Sequence, residues 1–141
     1  MKKPKAHISG CLIGVSSDEQ KELLNFYEDI ADVCQKHGLQ TFVPHMYFFP
    51  KGNPEDVYER EIRDISSTDL VVAYVGKPSI GVGTELEAAK TCNALIILLY
   101  EKGVKVSKLA LGNPAVIHEI EFKDFDDALK KLDDALDKIE I

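Results

Sequence analysis

The chain has 141 residues, of which 45% are hydrophobic and 29% charged, and its formal net charge at pH 7 is −7. This length and composition predict one globular domain, residues 1–141, and exclude a fibrous or intrinsically disordered chain. The acidic balance argues against a nucleic-acid polymer or an anionic membrane surface as partner. A small phosphorylated ligand remains open, because it needs only a local group of hydrogen-bond donors.

The cysteines and histidines are too scattered to form a disulfide framework or a metal site. Cys11, Cys34 and Cys92 make no CxxC pair, and the four histidines are equally dispersed. We therefore expect no metal, no other cofactor and a reducing, cytoplasmic location. The longest apolar run, Ala94–Tyr100, is too short to cross a bilayer.

The first half of the chain alternates between apolar runs and helical patterns. Residues Ala6–Ile13 predict a first buried strand. Ser17–Gln20 has the form of a capping box and starts a helix that Gly38 ends. Leu39–Val43 predict a second strand, and Asn53 followed by proline predicts the cap of a second helix running to about residue 67.

The same alternation continues to the end of the chain. Leu70–Val75 is a continuous apolar run, typical of a strand buried on both faces. A glycine-rich turn, residues 76–83, precedes a predicted helix from about Thr84 to Cys92. Ala94–Leu99 and Ala115–Ile120 predict the last two strands, and Asp124 caps a final amphipathic helix.

This order of elements predicts an α/β fold, a Rossmann-like three-layer sandwich of the flavodoxin type. Right-handed crossovers favour a five-stranded parallel sheet in the order 2-1-3-4-5. In that order the winding reverses between strands 1 and 3, and ligands bind beyond the carboxyl ends of the strands at such a reversal. The turns at residues 9–16 and 76–85 are therefore expected to meet around a ligand.

The turn after strand 3 carries the residue types of an anion site. Gly81 and Gly83 allow a sharp turn and a close backbone approach, and Ser79 adds a hydroxyl. The start of the following helix presents unpaired N–H groups to an anion. Glu85 is expected in the first helical turn, where it either serves chemistry at the cleft or only complements the helix dipole.

A second acid, Glu61, falls at the edge of the apolar stripe of the second helix. On a helical wheel Tyr58, Ile62 and Ile65 define the inward face, and Asp64 points further toward solvent. The carboxylate of Glu61 is therefore either partly buried and used in the chemistry of the site, or turned outward into solvent. Two converging carboxylates beside an anion-binding turn suit cleavage of a glycosidic bond.

Two stretches resemble a known family. They are Tyr58–Val75 and Pro78–Leu86, the second with the pattern Pro-Ser-x-Gly-Val-Gly-x-Glu-Leu. Both are similar to the nucleoside 2-deoxyribosyltransferase family, and most of all to its branch of 2′-deoxynucleoside 5′-monophosphate N-hydrolases. The similarity extends more weakly to the first strand and to Val106–Asn113, and so covers most of the chain.

The resemblance implies roles for five residues. Glu85 matches the glutamate that attacks the anomeric carbon, and Glu61 the position of a catalytic aspartate. Ser79 matches a serine on the 5′-phosphate, and Ser107 a serine that reaches the phosphate from a neighbouring subunit, which implies a homodimer. Gly10 falls in the first glycine turn, which lines the pocket.

Three positions depart from the family's pattern. His7 stands where the hydrolases carry a tyrosine, and Ile13 where they carry a phosphate-binding arginine. Glu61 is one methylene longer than the family's aspartate. His7 is a candidate to replace the tyrosine as hydrogen-bond donor or simply a strand histidine, and Lys77 or Lys108 are candidates to supply the missing charge.

The predicted function is N-glycosidic cleavage of a nucleoside 5′-monophosphate. The alternatives are transfer of deoxyribose between bases and a non-catalytic nucleotide-binding module. A phosphoribohydrolase in which Glu87 would act is less favoured, because its full Pro-Gly-Gly run is absent. The aromatic loop Tyr47–Pro50 is expected to pack at an interface or in the core rather than over a base.

Overall fold

The computed structural model describes residues 3–47 and 51–141 of the chain. A sheet of five strands has helices on both faces. The strands are Lys5–Ser9 (β1), Gln40–Phe42 (β2), Leu70–Tyr74 (β3), Leu95–Glu101 (β4) and Val116–Phe122 (β5). The α-helices are Ser17–Lys36 (α1), Pro54–Ser66 (α2), Ile80–Thr91 (α3), Lys108–Leu111 (α4) and Phe125–Asp137 (α5), and Pro44–Met46 is a 3-10 turn.

The strand order is β2-β1-β3-β4-β5 and every pairing is parallel, which confirms the predicted topology. β1 lies between β2 and β3, and its residue His7 pairs with Phe42 on one side and Val71 on the other. The carboxyl ends of β1 and β3 are therefore neighbours at the point where the winding reverses.

The sheet buries a different apolar cluster on each face. Ile8, Phe26 and Leu132 belong to the cluster under α1 and α5. Ile65 and Leu86 belong to the cluster under α2 and α3. Because side chains alternate along a strand, Ile8 faces the first cluster and His7 faces the second, beneath α2 and α3.

The ends of several elements differ from the predictions. β1 stops at Ser9 instead of Ile13, because the chain then turns across the sheet edge and the hydroxyl of Tyr27 donates to the carbonyl of Cys11 at 2.8 Å. The cap of α1 is Ser16, whose hydroxyl accepts from the amide of Glu19. The other strands differ by one or two residues at their ends, and the short α4 was not predicted.

The start of α3 also differs from the prediction by four residues, because the helix begins at Ile80 rather than near Thr84. Ser79 is its N-cap and accepts a hydrogen bond from the amide of Val82. Gly81 and Gly83 therefore lie inside the first turns of a helix and do not form the predicted sharp loop. Glu85 consequently sits in the second turn, not the first.

The described residues include no helix long and apolar enough to cross a bilayer. Cys11, Cys34 and Cys92 are free thiols. Of the aromatic loop, Tyr47 stacks on Phe42 with ring centroids 4.7 Å apart. Phe48, Phe49 and Pro50 lie outside the described residues.

Candidate active site

A cleft of about 460 Å³ opens at the carboxyl ends of β1 and β3. Its walls are the turn after β1 (residues 10–14), residues 43–45 after β2, and the start of α3 (residues 78–82). Glu61 from α2, Glu85 from α3, Ile8 and Tyr27 also line it. The predicted meeting of the turns after strands 1 and 3 is therefore what the structure shows.

Glu85 is joined to the floor of the cleft through His7. The Nε2 atom of His7 lies 2.6 Å from Oε2 of Glu85, and its Nδ1 atom lies 2.7 Å from Oδ2 of Asp64. The His7 side chain is completely buried, whereas 12% of the Glu85 side chain is exposed. Glu85 is thus held from below while it lines the cleft above.

Glu61 lies beside this pair. Its Oε1 atom is 3.7 Å from Nε2 of His7, and it is buried without a hydrogen-bond partner. One carboxylate oxygen each from Glu61 and Glu85 lies within 4.8 Å of the other. The two acids that the sequence singled out therefore converge on one cleft.

Burial and neighbouring charges shift the protonation of Glu85. Burial raises the pKa of Glu85 to about 7, with the charge of Glu61 adding to the rise and His7 opposing it. A carboxyl with such a pKa exchanges its proton near neutral pH, as catalytic acids and bases do.

His7 is held in its charged form. Burial alone would lower the pKa of His7, but the three carboxylates around it hold that pKa well above its usual range. Burial would likewise raise the pKa of Asp64, yet the hydrogen bond from His7 and the ion pair with Lys5 hold it below its usual value. Asp64 is therefore a stable anion under the imidazole ring.

Among residues 3–47 and 51–141, one group of three ligand-type side chains is close enough to share a metal ion: His7, Glu61 and Glu85. The hydrogen bond between His7 and Glu85 already uses one such atom of each. The arrangement therefore favours proton sharing and charge compensation over coordination.

The start of α3 forms the opposite wall. Ser79 and Gly81 line the cleft, and the helix presents its first amides there. The amide of Val82 is occupied by the Ser79 hydroxyl, which leaves those of Ile80 and Gly81 at the open end of the helix. This wall is suited to an anion.

Gly10 and Ile13 shape the rim formed by the turn after β1. A Cβ at Gly10 would lie 2.3 Å from the ring of Tyr27, so only glycine fits this close approach. Ile13, at the position where the resemblance implies an arginine, is 76% exposed. No lysine or arginine occurs among the described lining residues.

Gly83 and Ser107 lie elsewhere in this protomer. Both line a second cavity of about 600 Å³ on the other side of the α3 N-terminus, together with Lys77 and Lys105. Ser107 caps α4 by accepting from the amide of Leu109. The described part of the chain therefore does not bring these two residues to the cleft that holds Glu85.

The prediction that Asp64 points toward solvent is wrong. It is buried, with 4% of its side chain exposed, whereas the wheel directed it to solvent. Tyr58, expected to face inward, is 63% exposed. The buried face of α2 includes the polar positions 61 and 64, and a search for apolar periodicity cannot identify such a face. The sequence signal that could have indicated it is the spacing of the two acids, which lie three residues apart on the helix.

No protein-family model matches the chain, but curated proteins and solved structures are similar to it. A Methanosarcina mazei protein whose name carries the words 2′-deoxynucleoside 5′-phosphate N-hydrolase 1 is 27% identical over 118 residues, covering 79% of this chain and 73% of that protein.

Solved structures share the fold. The CMP N-glycosidase of Clostridium botulinum matches with a TM-score of 0.70 at 21% identity, over 93% of this chain and 98% of that one. A 2-deoxyribosyltransferase from Bacillus psychrosaccharolyticus matches with a TM-score of 0.65 at 17% identity, over 91% and 95% of the two chains. These findings, together with the motif around Glu85, confirm the resemblance of the chain to the nucleoside 2-deoxyribosyltransferase family and to the N-hydrolases within it.

Proposed function

We propose that the chain is an N-glycosidase that hydrolyses the base–sugar bond of a nucleoside or deoxynucleoside 5′-monophosphate. The observation that carries the proposal is the convergence of Glu61 and Glu85 on one cleft, with carboxylate oxygens within 4.8 Å. Retaining glycosidases hold their two carboxyl groups about 5 Å apart, whereas inverting enzymes leave several ångströms more for a water molecule. The short separation therefore supports a covalent route.

In the first step a carboxylate oxygen of Glu85 bonds to C1′ of the sugar while the C1′–N bond breaks. The base leaves with the electron pair and takes a proton that Glu61 relays from solvent. In the second step a water oxygen bonds to C1′ and the ester bond to Glu85 breaks, which returns the electron pair to its carboxylate. The proton of the water leaves through Glu61.

The start of α3 is the proposed site for the 5′-phosphate. Ser79, Gly81 and the open end of the helix supply donors, and the helix dipole favours an anion. Gly10 lines the cleft and is the proposed neighbour of the sugar on the side of the turn after β1. Because Ile13 replaces an arginine, backbone amides carry most of this binding.

The test is release of free base from a panel of ribo- and deoxynucleoside monophosphates and the matching nucleosides. Glu85→Gln should abolish release while circular dichroism and the unfolding temperature stay close to those of the parent. Glu87→Gln is the matched control, because Glu87 is exposed on the same helix and does not line the cleft. Parent-like release by Glu85→Gln would overturn the assignment.

The same assay separates the alternatives. Adding a second free base during turnover reveals a deoxyribosyltransferase, because a new nucleoside appears. Calorimetric binding of a monophosphate with no base release by the parent would identify a nucleotide-binding module instead.

We further propose a homodimer in which Ser107 of one protomer reaches the phosphate in the other. Ile80 and Leu109, near the second cavity, are 93% and 90% exposed in the single chain, which supports contact with a second copy. Light scattering measures the mass in solution. Mixing Glu85→Gln with Ser107→Ala should restore part of the activity, because each hybrid dimer rebuilds one intact site. The three free thiols suit a cytoplasmic location.

A further inference from the structure

His7 faces an acceptor at each of its ring nitrogens. Nδ1 lies 2.7 Å from a carboxylate oxygen of Asp64, and Nε2 lies 2.6 Å from one of Glu85. A neutral imidazole carries one N–H, so it can donate to only one of the two. Two carboxylates are both satisfied only when the ring is an imidazolium.

Asp64 is fixed on both of its oxygens. Oδ1 forms an ion pair with Nζ of Lys5, and Oδ2 accepts from His7. The hydroxyl of Thr68 donates to the Asp64 carbonyl at 2.9 Å and lies 3.5 Å from Oδ2. A carboxylate held in this way fixes both the orientation of the imidazole ring and the position of its proton.

Three of the four charged groups around His7 are carboxylates, which favour a positive ring, and the fourth is the Lys5 ammonium, which is paired with Asp64. β1 contributes Lys5, α2 contributes Glu61 and Asp64, and α3 contributes Glu85. The neighbouring strands contribute no charge facing the ring: Phe42 of β2 stacks on it at 5.3 Å, and Val71 of β3 pairs with it. With a neutral imidazole ring, the three carboxylates would therefore be balanced by a single positive charge, that of the Lys5 ammonium group.

Asp64 meets the proposed chemistry only through His7. It does not line the cleft; its carboxylate contacts His7 and Lys5, and its carbonyl accepts from Ser67 and Thr68. His7 in turn contacts Glu85, whose carboxylate is the proposed reacting group. The chain of contacts thus runs from Lys5 through Asp64 and His7 to Glu85.

We propose that Asp64, supported by Lys5, is a positioning residue that keeps His7 as an imidazolium with Nε2–H directed at Glu85. The inference rests on the proposed N-glycosidase function. While one oxygen of Glu85 is bonded to C1′, His7 donates to the other, and it stabilises the carboxylate that departs when water attacks C1′. His7 keeps its proton throughout, so no additional reactant is needed.

The test compares Asp64→Asn and Asp64→Glu with the parent, and uses Asp69→Asn as the control. Asp69 is an exposed neighbour that accepts from the backbone amide of Lys5 and has no bond to His7. Asparagine keeps an acceptor for Nδ1–H but removes the charge that favours the imidazolium. We expect Asp64→Asn to lower kcat by about tenfold or more with little change in KM.

The pH dependence distinguishes positioning from a purely structural role. In Asp64→Asn the alkaline limb of the rate profile and the His7 titration observed by ¹⁵N NMR should both move to lower pH. Asp64→Glu should recover part of kcat, and Asp69→Asn should behave as the parent. A folded Asp64→Asn protein with an unshifted His7 titration would overturn the proposal.

The NMR titration also separates this inference from the proposed function. It requires no turnover, so it reports on the Asp64–His7 contact in any folded variant. A parent protein that releases no base from any nucleotide overturns the glycosidase function and, with it, the catalytic use of the contact.

Discussion

His7 Nε2 and Glu85 Oε2 lie 2.6 Å apart although 78 residues separate them along the chain. The parallel pairing of β1 with β3, and the crossover from β3 to α3, bring them together. The bond links a side chain inside the sheet to one that lines the cleft. The predicted pH dependence of base release depends on how His7 and Glu85 share a proton.

The first prediction concerns the pH dependence of base release. Burial raises the pKa of Glu85 to about 7, and the nucleophile must be ionised, so kcat/KM should rise as the pH increases through about 7. The rate should fall again at more alkaline pH, where His7 loses the proton that its raised pKa retains. Initial rates between pH 5 and 10 test this. An acid limb at the ordinary value for glutamate would contradict it.

A second prediction concerns the stability that Asp64 supplies. Asp64→Ala removes the carboxylate that pairs with Nδ1 of the buried His7 and with Lys5, and loss of one partner of a buried ion pair costs about 3–5 kcal/mol. Urea unfolding at pH 7 measures the loss, and Asp69→Ala is the control at an exposed site.

The contribution of Asp64 should also depend on pH. The pKa of Asp64 is lower in the folded protein than in the unfolded chain, so below its usual value the unfolded chain binds more protons. The contribution is therefore complete above that value and is lost as the pH falls through the folded-state pKa. Asp64→Ala should lose less stability than the parent over this acid range, and equal losses would contradict the prediction.

A third prediction tests the close approach at Gly10. In Gly10→Ala the new Cβ would lie 2.3 Å from the buried ring of Tyr27, and overpacking of this kind costs about 1–3 kcal/mol. The matched control is Gly83→Ala, which replaces a glycine inside α3 and adds a Cβ that meets nothing within 4 Å. The control should gain about 0.5–1 kcal/mol. Thermal unfolding of both variants gives the comparison, and a stable Gly10→Ala would contradict it.

A fourth prediction separates the two roles of Ser79. Ser79→Ala removes the N-cap of α3, which should cost about 0.5–2 kcal/mol, and should raise KM for a monophosphate more than for the nucleoside. Ser79→Asp restores a cap but places a negative charge beside the phosphate. It should therefore recover stability while KM for the monophosphate stays high. Recovery of both together would argue against phosphate binding at this wall.

The fold was largely predictable because its signals are local. Continuous apolar runs mark strands buried on both faces, and Asn53, Asp124 and Gly38 mark helix ends that the structure confirms. Their order then leaves few topologies, since crossovers are right-handed. The convergence of the turns after strands 1 and 3 follows from that order alone.

The internal details of the cleft were less predictable, because they depend on tertiary contacts. Gly81 and Gly83 suggested a loop, yet the Ser79 cap starts the helix before them. The helical wheel predicts that Asp64 faces solvent because it considers only the positions of apolar residues on one helix. Whether an acid is buried depends instead on its partners, which here lie on another element of the fold. His7 and Lys5, both on β1, are those partners.

The position of His7 in a central strand limits its motion during turnover and leaves its side chain open to substitution. Hydrogen bonds to strands on both sides hold the backbone at this residue, so amide exchange here should require opening of the whole sheet. The imidazole therefore cannot swing away during turnover as a loop residue can. Different side chains at this one position can alter the chemistry below the cleft while the scaffold around it stays the same.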